Sequence, residues 1–97
     1  MLKVILKNGF EFEVDMINEV SGGSSNNNTA EVIIRSPLGA DSAKVRENMT
    51  AENLSRLVVT ADGEQIDEYE GYTDIRSINK VITKFERSLT IQAAKGE

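Results

Sequence analysis

The chain has 97 residues, of which 39% are hydrophobic and 28% charged, and its 16 acids outnumber 11 bases for a formal net charge of −5. That length supports one domain around one modest core, and the composition is that of a folded rather than a disordered chain. The absence of cysteine and histidine excludes disulfides, thiol redox chemistry, Cys/His zinc sites and histidine-based nucleophile triads.

The first element is the most informative. LKVIL alternates over residues 2–6, KNG follows, and FEFEVDM alternates over residues 10–16, which is the pattern of a hairpin. A two-residue Asn8-Gly9 turn would set Leu2, Val4 and Leu6 beside Glu11, Glu13 and Asp15. A three-residue Lys7-Asn8-Gly9 loop pairs Leu6 with Phe10, Val4 with Phe12 and Leu2 with Val14, so all six share one face and Lys3 opposes Glu13. The longer loop is therefore expected, with Gly9 in the left-handed position. An opening strand of this kind is not an export signal, and the expected location is the cytoplasm or a virion.

SGGSSNNN, residues 21–28, holds no core-forming residue and reads as a solvated connection between strands. TAEVIIRS is the next strand, stopped by Pro37, which lacks a ladder donor. DSAKVRENM predicts a short helix capped by Asp41 or Ser42, with Val45 and Met49 on one face, and residues 50–53 predict a further capped turn. Residues 57–60 form a buried strand that turns through Ala61-Asp62-Gly63-Glu64 into residues 65–73, a second hairpin. In the tail, Ile75, Ile78, Ile82, Phe85 and Leu89 have helical spacing, but the Ile, Val and Thr content favours two strands with a turn over residues 83–86.

The fold expected is α+β: mainly an antiparallel β-sheet or small barrel with one short helix, in a single domain. Its core should contain Leu2, Val4, Leu6, Phe10, Phe12, Val32, Ile34, Val45, Leu57, Val59, Ile66, Tyr72, Ile75, Leu89 and Ile91. No apolar run approaches the ~20 residues of a membrane helix, and an acidic domain is a poor match for direct nucleic-acid binding.

DEYEGYTDI, residues 67–75, gathers four carboxylates and two tyrosines around one glycine. Adjacent acids on a strand face opposite sides and lack the ligand order of a calcium loop, so no metal site is expected. Tyr69 and Tyr72 are three apart, and a bulge at Gly71 would return both rings to one face, with the Tyr72 hydroxyl reaching a partner. Neither GxxxxGK[ST] nor GxGxxG occurs, so no cofactor is expected, and no base stands ready to activate a serine or threonine. The candidate interaction residues are Tyr69, Tyr72, Glu70, Phe10 and Phe12, since aromatic side chains anchor protein contacts.

Lys7-Asn8-Gly9, together with Tyr69, Gly71, Tyr72, Thr73, Ser77 and Ile78, resembles a pattern in small phage and prophage proteins of Gram-positive bacteria. In those, an LKNG-type strand, a helix, a strand ending in Y-x-GYT-x-x-x-SI and a closing strand follow one another. The SGGSSNNN and TKFE stretches are not part of that pattern. The resemblance implies a mobile-element origin with a virion or tail-region role.

The leading expectation is thus a non-enzymatic structural or assembly module, working through a protein partner or self-association at edge strands or an exposed apolar face. The alternative is a small acidic inhibitor of a host nucleic-acid-handling protein, which needs Glu11, Glu13, Asp15, Asp67, Glu68 and Glu70 on one continuous face. A third class, a ligand-binding module, needs a pocket lined by Tyr69 and Tyr72.

Overall fold

A computed structural model describes residues 1–21 and 30–96. Eight antiparallel strands form two four-stranded sheets, with two short helices at the midpoint of the chain. The strands are β1 (Leu2–Leu6), β2 (Glu11–Glu13), β3 (Met16–Ser21), β4 (Ala30–Pro37), β5 (Arg56–Ala61), β6 (Glu64–Glu70), β7 (Asp74–Ile82) and β8 (Arg87–Ala94). The helices are α1 (Ser42–Glu47) and α2 (Ala51–Leu54). The first sheet has the order β2-β1-β5-β6 and the second β3-β4-β8-β7.

The opening hairpin has the expected register, with Val4 opposite Phe12 and Lys3 opposite Glu13. Gly9 takes φ 91°, the left-handed value that a side chain would penalise. The strand over residues 10–16 is not continuous, however. It divides into β2 and β3, and the chain changes sheets between them. Val14 N donates to Leu2 O at 2.9 Å in the first sheet, and Asp15 N donates to Arg35 O at 2.7 Å in the second.

The strand expected over residues 65–73 likewise ends early, at Glu70. Gly71 is not a bulge within it but a second crossing between sheets. Its N–H donates to Ser55 O, between α2 and β5, at 2.9 Å, and its carbonyl accepts from Gly96 N, beyond β8, at 2.8 Å. With φ 83°, it turns the chain where an L-residue would be strained.

Both halves of the molecule therefore have the same connectivity: a hairpin in the first sheet, a crossing, then an outer and an inner strand of the second. Strands β1 and β5 meet at the centre of one sheet, and β4 and β8 at the centre of the other. Both pairs are antiparallel, so the topology has two-fold character about an axis through the sheet centres. Among the described residues there is no closed barrel; α1 is the short helix expected, and α2 is the further capped turn expected at residues 50–53.

The inner faces of both sheets contribute to one hydrophobic cluster. It includes Val4, Leu6, Phe12, Leu57 and Val59 from the first sheet and Val32, Ile34, Leu89, Ile91 and Ala93 from the second. Leu2, Phe10 and Ile75 pack against it half-buried. Ile66, expected inside, is 57% exposed. The register shifts between Val59 and Thr60, so that Val59 opposes Asp67 and Thr60 opposes Gln65. Ile66 is the extra residue of that bulge, and Asp67 takes the inward side at the sheet edge.

The helical segment adds Val45, Met49 and Leu54 to the core. Asp41 makes no side-chain cap on α1; instead the Ser42 hydroxyl accepts from Gly39 N at 2.9 Å. Thr50 does cap α2, accepting from Asn53 N at 3.2 Å. The tail is two strands, joined where Thr83 N donates to Glu86 O at 2.7 Å. A second bulge, between Ile75 and Ser77, lets Ile75 and Ile78 both face inward although three apart, which is how a strand acquires helix-like spacing. The SGGSSNNN connection lies, beyond Ser21, outside the described residues. No helix among those described is long and apolar enough to cross a membrane.

Candidate functional site

The sequence-derived candidates separate into two places. Phe10 and Phe12 lie on β2 and the turn before it, with ring centroids 6.0 Å apart and planes 27° from parallel. Phe12 is buried and Phe10 half-buried against the core. The apolar face of the first hairpin is thus turned into the molecule rather than out of it. Beside β2, an open cleft of about 520 Å³ runs between the Phe10 ring and residues 36–45. Across its mouth Lys3 Nζ reaches Glu11 Oε1 at 3.1 Å, and Ser36 Oγ donates to Glu13 O at 2.8 Å.

Tyr69 and Tyr72 lie at the second crossing. Their rings meet edge to face, with centroids 6.0 Å apart and planes at 81°. Tyr72 is buried, its hydroxyl donates to a Glu19 carboxylate oxygen, and Lys95 Nζ stands 5.6 Å above its ring. Burial, followed by the Glu19 hydrogen bond and charge, holds the Tyr72 phenol well above its ordinary range. Burial likewise pushes Tyr69 up to about 12, with the hydrogen bond and charge of Asp67 and the charge of Glu19 adding to it. Phenols so placed stay protonated at neutral pH and cannot serve as bases. The two rings pack against each other and the core, so among the described residues no pocket opens between them for a ligand. Glu70 is exposed opposite Arg56.

The acids named for an inhibitor do not form one face. Glu11 and Glu13 stand on β2 and Glu68 on β6, at opposite edges of the first sheet, with Ile5 and Val58 between them. Glu11 is paired with Lys3, and Glu68 with Arg56 at 2.8 Å. Asp67 faces the inner side. Among the described residues, no group of three potential metal ligands converges.

The feature that sequence reasoning missed is the β7–β8 tip. Phe85 is 93% exposed and Ile82, one strand position before the turn, 56%. The turn that carries Phe85 is held from within: Thr83 Oγ1 accepts from Phe85 N at 3.1 Å and from Glu86 N at 2.9 Å. Glu86 in turn accepts from Ser88 Oγ at 2.9 Å and faces Arg35 at 3.7 Å. The signal was present as a lone phenylalanine inside the polar run TKFE, between two strands. The expected turn over residues 83–86 already placed Phe85 outside the strands, and the core expected from the sequence did not include it.

Comparison with protein-family models, with curated proteins and with solved structures returned no match.

Proposed function

We propose that this chain is a non-enzymatic structural or assembly module whose binding element is the β7–β8 tip. The observation that carries the reading is Phe85: a large aromatic side chain, 93% exposed, on a turn fixed by its own hydrogen bonds. A side chain so presented contributes nothing to the core, and the backbone that carries it is already ordered, so binding need fix only the ring's two side-chain torsions.

The sheet edges support the tip over strand addition. Glu19 on β3 opposes buried Val32, Lys80 on β7 opposes buried Leu89, and Asp67 on β6 opposes buried Val59. Cross-strand neighbours share a face, so three of the four outer strands turn a charge toward the inside, while β2 turns Phe12 inward. Inward charges on edge strands discourage edge-to-edge pairing. The β7–β8 tip combines exposed Ile82 and Phe85 with exposed Lys84 and Arg87. Catalysis has little to work with beside it: the chain has no histidine, and the described residues offer no free-standing base at the tyrosines and no convergent metal ligands.

The similarity of the Lys7-Asn8-Gly9 and Tyr69 to Ile78 stretches to phage and prophage proteins makes a virion or tail-region component the specific form of the proposal. Mass spectrometry of purified particles from a strain encoding the chain tests it. The chain is expected in the particles and the Phe85→Glu chain absent from them. Particles that lack the wild-type chain contradict the reading.

A further inference from the structure

We propose that the tip binds a second copy of this chain, each tip entering the other copy's cleft beside β2, to form a two-fold dimer. This rests on the reading of the tip as a binding element and names its partner.

Charge points to the pairing. In a protein of net charge −5, the tip is basic: Lys80, Lys84 and Arg87 surround Ile82 and Phe85, and all three are exposed. Among the described residues, none of the three is ion-paired. The ionisable lining of the cleft leans slightly the other way, with Glu11, Glu13 and Asp41 against Lys3 and Lys44. Phe10, Phe12, Leu38 and Val45 give it an apolar lining, while Glu13 and Asp41 stand at its wall beside the Lys3–Glu11 pair and Lys44. An aromatic knob ringed by lysine and arginine thus meets an aromatic-floored cleft carrying carboxylates, and complementary potentials of this kind set partner and register. At about 520 Å³ the cleft has room for the Phe85 ring with Ile82 against its rim.

Position decides the symmetry. A knob that fits a socket elsewhere on the same molecule builds rings or open filaments unless the two patches can satisfy each other reciprocally. Here knob and socket adjoin. The Arg87 carbonyl accepts from Leu38 N at 3.2 Å, and Leu38, Gly39 and Ser42 line both the cleft and the groove at Lys80, Ile82 and Arg87. Residues 38–42 are therefore the divide between them. Two copies related by a two-fold axis over that divide place each Phe85 at the other's Phe10, and the interface closes at two subunits.

The chain has no cysteine, which makes the test direct. Single-cysteine variants Phe85→Cys and Ala40→Cys, mixed and mildly oxidised, are expected to join across copies, whereas Phe85→Cys mixed with Asn18→Cys, on the outer face of the second sheet, is not. Sedimentation equilibrium should give twice the 10.7 kDa chain mass for wild type. Phe85→Glu should give a monomer whose melting curve does not change with protein concentration and matches that of wild type diluted until it is monomeric. Reversing the cleft by Glu13→Lys with Asp41→Lys should weaken association at least tenfold, and adding Lys84→Glu with Arg87→Glu should restore it. A monomeric wild type, or a dimer that survives Phe85→Glu, overturns the proposal. A monomer that still enters particles in a Phe85-dependent way leaves the assembly reading standing with another partner; a monomer absent from particles removes both.

Discussion

The tyrosine crossing and the β7–β8 tip flank the two ends of β7, and they dispose of their aromatic rings in opposite ways. At the crossing Tyr72 is 1% exposed, its hydroxyl is taken by Glu19, and its ring is shared between Tyr69 and Lys95. At the tip Phe85 is 93% exposed and stands outside the core cluster, while the turn beneath it is held by Thr83. Both turns are well built, but only one uses its aromatic side chain for folding. An aromatic cluster in sequence is therefore poor evidence of a binding site where its rings and hydroxyls satisfy one another. A rigid turn that presents an unsatisfied ring is better evidence.

The contrast is broken most severely by Tyr72→Ala. Removing a buried ring of this size should cost about 3–5 kcal/mol in a urea melt, a large part of a small domain's stability. Gly71→Ala comes next. A Cβ at that position would meet Lys95 Cε at 3.5 Å, an ordinary contact, so the cost is the positive φ alone, about 1–2 kcal/mol.

Tyr72→Phe keeps the ring and loses the bond to Glu19, for about 1 kcal/mol, and it sharpens the contrast through pH. Both crossing phenols are held above their unfolded value of 10.0. Between that value and about 12, where Tyr69 titrates, the native state binds more protons than the unfolded state. The phenols' contribution is thus fully present below pH 10 and is lost as pH rises beyond it. Thermal melts should be insensitive to these groups at neutral pH and fall through the alkaline range, less steeply in Tyr72→Phe. Smallest of all is Phe85→Ala, which should alter the stability of the monomer, measured at high dilution, by less than about 0.5 kcal/mol while abolishing association. Equal stability losses at Phe85 and Tyr72 would erase the distinction between the two ends.

What could be read from the sequence was whatever a single alternation governs. The Lys7-Asn8-Gly9 register was legible because a two-residue turn mixes Leu6 and Val4 with carboxylates. The two crossings were not, because a chain that changes sheets also changes the phase of its alternation. Val14 and Ile17 both face the core although three residues apart, and so do Tyr69 and Tyr72. A bulge produces the same phase change, and only the hydrogen bonds of Asp15 and Gly71 to a different sheet tell the two apart. One bulge expelled Ile66 from the core against expectation; the other gave β7 a helix-like stripe, but the Ile, Val and Thr content still marked the tail as two strands. Phe85 lies in the turn expected over residues 83–86, and its exposure depends on that turn rather than on its spacing.

The claim that one aromatic end binds and the other only folds is tested most directly by amide NMR spectra recorded as protein concentration rises. Amides of residues 80–87, and those lining the cleft at residues 10–13 and 38–44, should shift together along one binding curve while residues 69–72 stay fixed. Shifts centred on the tyrosine crossing, with residues 80–87 unmoved, would contradict it.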